Sequence, residues 1–126
     1  MQDKARFYRG QVVALKSGGP EMTVDEVRDE DGCTTCVWFH SESSSELLSG
    51  MFYAETLHLI GSDHPDAEFV PGQIVQLRST GPLMTVESVR NDGYTNHVTC
   101  IWFGDRGRAS TLSSANVHPN SLVLID

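Results

Sequence analysis

Basic residues are scarce in this chain. Nine Lys and Arg face 17 Asp and Glu across 126 residues, a net charge of −8. Without a basic stripe, general affinity for phosphate backbones or anionic membranes is disfavoured, while an acidic surface suits solubility or a basic protein partner. No apolar run approaches the roughly 20 residues of a membrane-spanning helix. No segment holds a helical period over three turns. Only three cysteines occur. That odd count, with no apolar leader at the N-terminus, points to a reducing, cytoplasmic setting rather than a disulfide framework.

What the chain does have is a repeat. Leu15-Lys16-Ser17-Gly18-Gly19-Pro20-Glu21-Met22-Thr23-Val24 returns as Leu77-Arg78-Ser79-Thr80-Gly81-Pro82-Leu83-Met84-Thr85-Val86. Between Phe7–Arg28 and Phe69–Arg90, 13 of 22 aligned positions are identical without a gap, a density that indicates duplication. The expected units are residues 1–62 and 63–126, with a short acidic linker at about 61–68. The charge divides unevenly: five basic against ten acidic residues give −5 in the first unit, and four against seven give −3 in the second. Units of about sixty residues lie near the lower limit for an independent core, so the halves are expected to pack together.

Each copy reads as five short strands. Val12 to Lys16 and Ile74 to Arg78 open the units, with Val13, Leu15, Val75 and Leu77 facing inward. Ser-Gly-Gly-Pro and Ser-Thr-Gly-Pro then force a turn. In Met22 to Arg28 and Met84 to Arg90 the apolar parity breaks before Val27 and Val89. That break predicts a bulge returning both valines to the core. Asp31-Gly32 and Asp92-Gly93 signal hairpins. The third strands, Cys36–Phe39 and Cys100–Phe103, are apolar on both faces, so their surplus face needs a cover, expected from the other half of the chain. A fourth strand is placed at about Leu47–Phe52 and Ala109–Ser113. A 3-10 corner follows, then Leu57–Ile60 and Leu122–Ile125. The expected class is all-β: two tandem SH3-like small barrels packed as an internal pseudo-dimer.

The pattern Gly-x-x-Val-x-Leu-Lys-Ser-Gly-Gly-Pro-x-Met-Thr-Val, followed by Cys-x-Trp-Phe, resembles the small YodC-like family of uncharacterised bacterial proteins. It covers Gly10–Phe39, and again Gly72–Phe103 with Thr80 in place of the first glycine. The resemblance implies a compact SH3-like or KOW-like β-domain with no catalytic residues.

Chemistry-bearing clusters have bland readings. Cys33-x-x-Cys36 aligns with His97 and Cys100, which allows a Cys3His metal site to be drawn across the copies. Residues three apart on a strand point to opposite faces, however, and strand cysteines commonly act as small hydrophobes. No metal or cofactor is called for. Trp38, Phe39, Trp102 and Phe103 fit core or inter-half packing better than a stacking platform. His40, His58, His64, His97 and His118 show no catalytic spacing, and no catalytic residue is assigned.

The function expected is therefore non-enzymatic recognition of a protein or peptide. The candidate binding residues are the two turns, Lys16, Ser17, Gly18, Gly19 and Pro20, and Arg78, Ser79, Thr80, Gly81 and Pro82. A KOW-like nucleic-acid factor is the alternative, using Lys16, Arg28, Arg78, Arg90, Arg106 and Arg108. A third reading is an acidic nucleic-acid mimic built on Asp25, Glu26, Asp29, Glu30 and Asp31.

Overall fold

A computed structural model describes residues 7–28, 30–41, 46–61, 68–93, 96–104 and 111–125. The predicted linker core at 62–67, Asp29, Arg106 and Arg108 lie outside the described residues.

Among the described residues, two antiparallel sheets of five strands form. The first takes β1 (Val12–Leu15), β2 (Met22–Val27), β3 (Thr34–Phe39), β4 (Leu47–Phe52) and β5 (Leu57–Gly61), in the order β4-β3-β2-β1-β5. The second takes β6 (Ile74–Leu77), β7 (Met84–Asn91), β8 (Asn96–Gly104), β9 (Thr111–Val117) and β10 (Leu122–Leu124), in the same order counted from its first strand. One 3-10 turn precedes each fifth strand, at Ala54–Thr56 and Pro119–Ser121. These turns carry the chain from the fourth strand to the far side of the first. The fourth and fifth strands thus become opposite edges with no ladder between them. Barrel closure by hydrogen bonding, expected from the strand count, is not made; each sheet is open.

The parity break is a bulge in both copies. The β2–β3 register shifts between Val24 and Glu26, and the β7–β8 register between Val86 and Ser88, so Asp25 and Glu87 are the extra residues. The consequence differs from expectation in the second copy. Val27 is half-buried, but Val89 stays exposed. Val89 pairs with fully buried Val98, so the bulge restores its parity, but its side chain stays 40% exposed at the edge of the core.

The repeats have separate cores. Phe7, Val13, Met22, Val24, Cys36, Ala54 and Leu57 fill the first. Phe69, Val75, Leu77, Met84, Val86, Val98, Cys100, Trp102, Val117 and Leu122 fill the second, which also takes in Val37 and Phe39 from β3, with Leu47 of β4 packed against it. The outer face of the first sheet therefore belongs to the second core. Cover for the surplus face was expected to be mutual. It runs one way.

Candidate functional site

The two Ser/Gly/Pro turns share one backbone geometry. Gly18 N–H donates to Leu15 O, and Thr80 N–H to Leu77 O, each at 2.9 Å. Gly18 and Gly19 take φ of 104° and 125°, and Thr80 and Gly81 take 82° and 135°. A β-branched residue in that region is strained. Thr80 is the single non-glycine residue in it among those described. Each turn is tied to its 3-10 corner, Lys16 N–H to Thr56 O and Arg78 N–H to Ser121 O. The second turn has two further ties: Gln76 Nε2 donates to Gly81 O at 2.8 Å, and Arg78 Nε to Asn120 O at 2.7 Å. Ala14 stands where Gln76 does, so the first turn lacks the amide tie.

Their surroundings differ. Lys16, Ser17, Gly18, Gly19 and Pro20 are all exposed. Ser79, Gly81 and Pro82 are buried, Arg78 is half-buried, and Thr80 alone of that turn is exposed. The second turn is seated on the outer face of the first sheet. Thr23 Oγ1 donates to Ser79 Oγ at 2.7 Å and accepts from Ser79 N–H at 2.9 Å. The Phe39 ring lies where a Cβ on Gly81 would go, so glycine is needed there for space as well as for φ. Phe39 also meets Trp102 edge-on, centroids 5.4 Å apart.

The bulged Asp25 fixes the neighbouring 3-10 corner. Its Oδ1 accepts from His118 N–H at 2.9 Å and Ser121 Oγ–H at 2.8 Å. His118 Nδ1 caps the same corner by accepting from Asn120 N–H at 3.1 Å. Burial, reinforced by the Arg9 charge, holds His118 below its ordinary value of 6.5 against the opposing pull of Asp25 and Glu26. A polar groove of about 580 Å³ runs along this seam, lined by Arg9, Asp25, Glu26, His97 and His118 among others.

The second sheet carries the same outer face, uncovered. Thr85 pairs with Ile101 across β7–β8, and Phe103 with Leu112 across β8–β9. These positions match Thr23, Val37, Phe39 and Leu47, which pair identically in the first sheet. Phe39 is 9% exposed and Phe103 is 68% exposed. Leu112 is likewise open, and Ile101 is half-buried. Local sequence could not signal this contrast, because both strands read Cys-x-Trp-Phe.

The cysteine–histidine constellation is dispersed. Cys36 lies in the first core and Cys100 in the second, while Cys33 and His97 are half-buried at the hairpin ends of β3 and β8. Burial pushes the Cys36 thiol up to about 12, with the Asp25 charge adding to the rise, and the Cys100 thiol to about 12 as well. Among the described residues, no three His, Cys, Asp or Glu side chains group so as to hold a metal ion. Two of the candidate cations pair within their own hairpins, Arg28 with Asp31 and Arg90 with Asp92, both at 3.6 Å. Of the acidic run, Asp25 serves the seam, Asp31 accepts from Cys33 N–H, and Glu26 and Glu30 are exposed. No described helix is long and apolar enough to cross a membrane.

No curated protein and no solved structure matches the chain. One family model matches twice, over residues 9–57 and 71–115, so each sheet carries one copy of it. The duplication read from the turns is thus a duplication of a known unit, and the chain belongs to the family of uncharacterized small proteins DUF2158.

Proposed function

We propose that this chain is a non-enzymatic protein-binding module. The observation that carries the reading is the uncovered apolar face of the second sheet, where Phe103 and Leu112 stand open beside half-buried Ile101. Open aromatic and aliphatic side chains grouped on one sheet face are typical of interaction surfaces. The seam between the repeats supplies a pattern for recognition: a Ser/Gly/Pro turn enters a face of this composition and exchanges hydroxyl hydrogen bonds with it. Lys16–Pro20 is a second turn of that kind with its surface open.

Each unit reads as an SH3-like, open half-barrel of the YodC-like type. Supporting this are the strand order, with the fifth strand returning beside the first, and the 3-10 corner before it. A catalytic reading finds no support in the thiols of Cys36 and Cys100, which burial keeps protonated. A nucleic-acid reading finds none in the paired Arg28 and Arg90. The setting that fits is cytoplasmic, with no cofactor.

Affinity capture with the intact chain as bait tests the proposal, comparing wild type with Phe103→Glu and Lys16→Glu. Protein partners that bind wild type and are lost from either variant support it. Salt-sensitive retention of RNA or DNA with no such protein rejects it.

A further inference from the structure

The seam between the repeats is head-to-tail, and each of its halves is left over once. The second repeat inserts its turn and 3-10 corner, through Ser79, Gly81 and Ser121. The first repeat receives them on Thr23, Asp25, Val37, Phe39 and Leu47. By the strand registers, the receiving positions on the second repeat are Thr85, Glu87, Ile101, Phe103 and Leu112. Each keeps the chemistry of its counterpart: hydroxyl, carboxylate, β-branched aliphatic, phenyl and leucine side chain. Four of the five are exposed and Ile101 is half-buried. The inserting positions on the first repeat are Ser17, Gly19 and Thr56, which keep the hydroxyl, the glycine and the corner hydroxyl. All three are exposed, and nothing lies within 4 Å of a Cβ built on Gly19, where Phe39 crowds Gly81.

We infer that the occupant of the open second-repeat face is the Lys16–Pro20 turn and Ala54–Thr56 corner of another copy of this chain. In that contact Phe103 of one copy packs against Gly19 of the next. Thr85 meets Ser17, and Glu87 accepts from the backbone N–H of Tyr53 and from the Thr56 hydroxyl, which donates to Tyr53 O at 2.7 Å in the single chain and turns to the carboxylate on docking, as Asp25 accepts from His118 and Ser121 within the chain. A contact between unlike surfaces adds copies head-to-tail, closing into a ring or extending as a filament according to the rotation it imposes. The internal seam is held at the high effective concentration that a short tether provides, whereas the contact between copies has no tether. Association is therefore concentration-dependent and weaker than the internal seam.

This inference rests on the protein-binding reading and names its partner. The test is sedimentation of the intact chain from micromolar to about millimolar concentration, for wild type, Phe103→Glu and Ser17→Trp. Both substitutions alter exposed side chains, and an unchanged circular dichroism spectrum and melting midpoint establish that each variant is folded. Should Phe103→Glu lower the midpoint, Leu112→Glu replaces it. Wild type is expected to gain weight-average mass as concentration rises, while each variant alone stays at the monomer mass. Phe103→Glu keeps an intact turn and Ser17→Trp keeps an intact face, so their mixture forms a one-to-one heterodimer and nothing larger. A wild type that remains monomeric throughout overturns the inference, as does association that survives both substitutions or a mixture that does not pair. If wild type is monomeric yet Phe103→Glu still loses a captured protein partner, the binding reading stands and the self-association falls.

Discussion

Phe39 and Phe103 occupy the same place in two nearly identical strands and live in different environments. Phe39 closes over Gly81 and makes a T-shaped contact with Trp102, and Phe103 faces solvent. The same contrast separates Ser79 from Ser17 and Thr23 from Thr85. Duplication made two copies of one insert and one receptor. A linear chain with a single seam can use one insert and one receptor, and the remaining pair is left at its two ends.

Substitutions at matched positions measure that difference. The largest gap is expected between Phe39→Ala and Phe103→Ala. Removing the buried ring should cost about 3–5 kcal/mol in urea unfolding, and removing the exposed one within about 0.5 kcal/mol. Next come Gly81→Ala and Gly19→Ala. Both force a Cβ into a positive-φ backbone, at about 1–3 kcal/mol each. Only Gly81→Ala also drives that Cβ into the Phe39 ring, adding about 1–3 kcal/mol of overpacking. Equal losses at the two glycines would show that the seam is not seated as described. Thr23→Val should cost about 1–3 kcal/mol because it strips the acceptor from buried Ser79 N–H, whereas Thr85→Val should be close to neutral.

The smallest effect expected is on pH dependence, and it belongs to His118, whose counterpart in the first repeat is Tyr53. His118 titrates below its ordinary value of 6.5 in the folded chain, so below about pH 6.5 the unfolded chain binds the extra proton first. Stability should therefore fall as pH drops from 6.5 toward the lowered folded value, and be indifferent to this group above that window. His118→Asn retains a side-chain acceptor at the 3-10 corner and removes the titration. Thermal melts between pH 5 and 8 should show a shallower acid-side decline in that variant. An unchanged decline would assign the pH dependence to other groups.

Much of each unit was legible along the chain. The hydrophobic pair Val13 and Leu15, the glycines and proline of the turn, and the parity break before Val27 all express local preferences that act within a few residues. They located the first two strands of each unit, the turn and the bulge, with Asp25 the bulge residue, whereas the fourth strand of the second unit, expected at Ala109–Ser113, runs Thr111–Val117. Barrel closure was not legible, because strand count says nothing about whether the two outer strands meet. Val89 recovered its parity opposite buried Val98 yet stays exposed, because how far the core extends over a strand is not written in local alternation. The seam residues Thr23, Ser79, Asp25 and Ser121 come from positions far apart in sequence, and their counterparts carry matching side chains that do not make these bonds.

Sequence alone determined that this protein is two copies of one small β-unit, and that each copy has a glycine–proline turn and an apolar third strand with a face to spare. Those properties follow from backbone sterics and from alternation along a strand, which neighbours in the chain settle between themselves. Which of the two equivalent turns is buried, and which of the two equivalent faces stays open, was decided only in three dimensions. A head-to-tail contact breaks the equivalence of identical parts, and identical residues cannot encode on which side of that contact they fall.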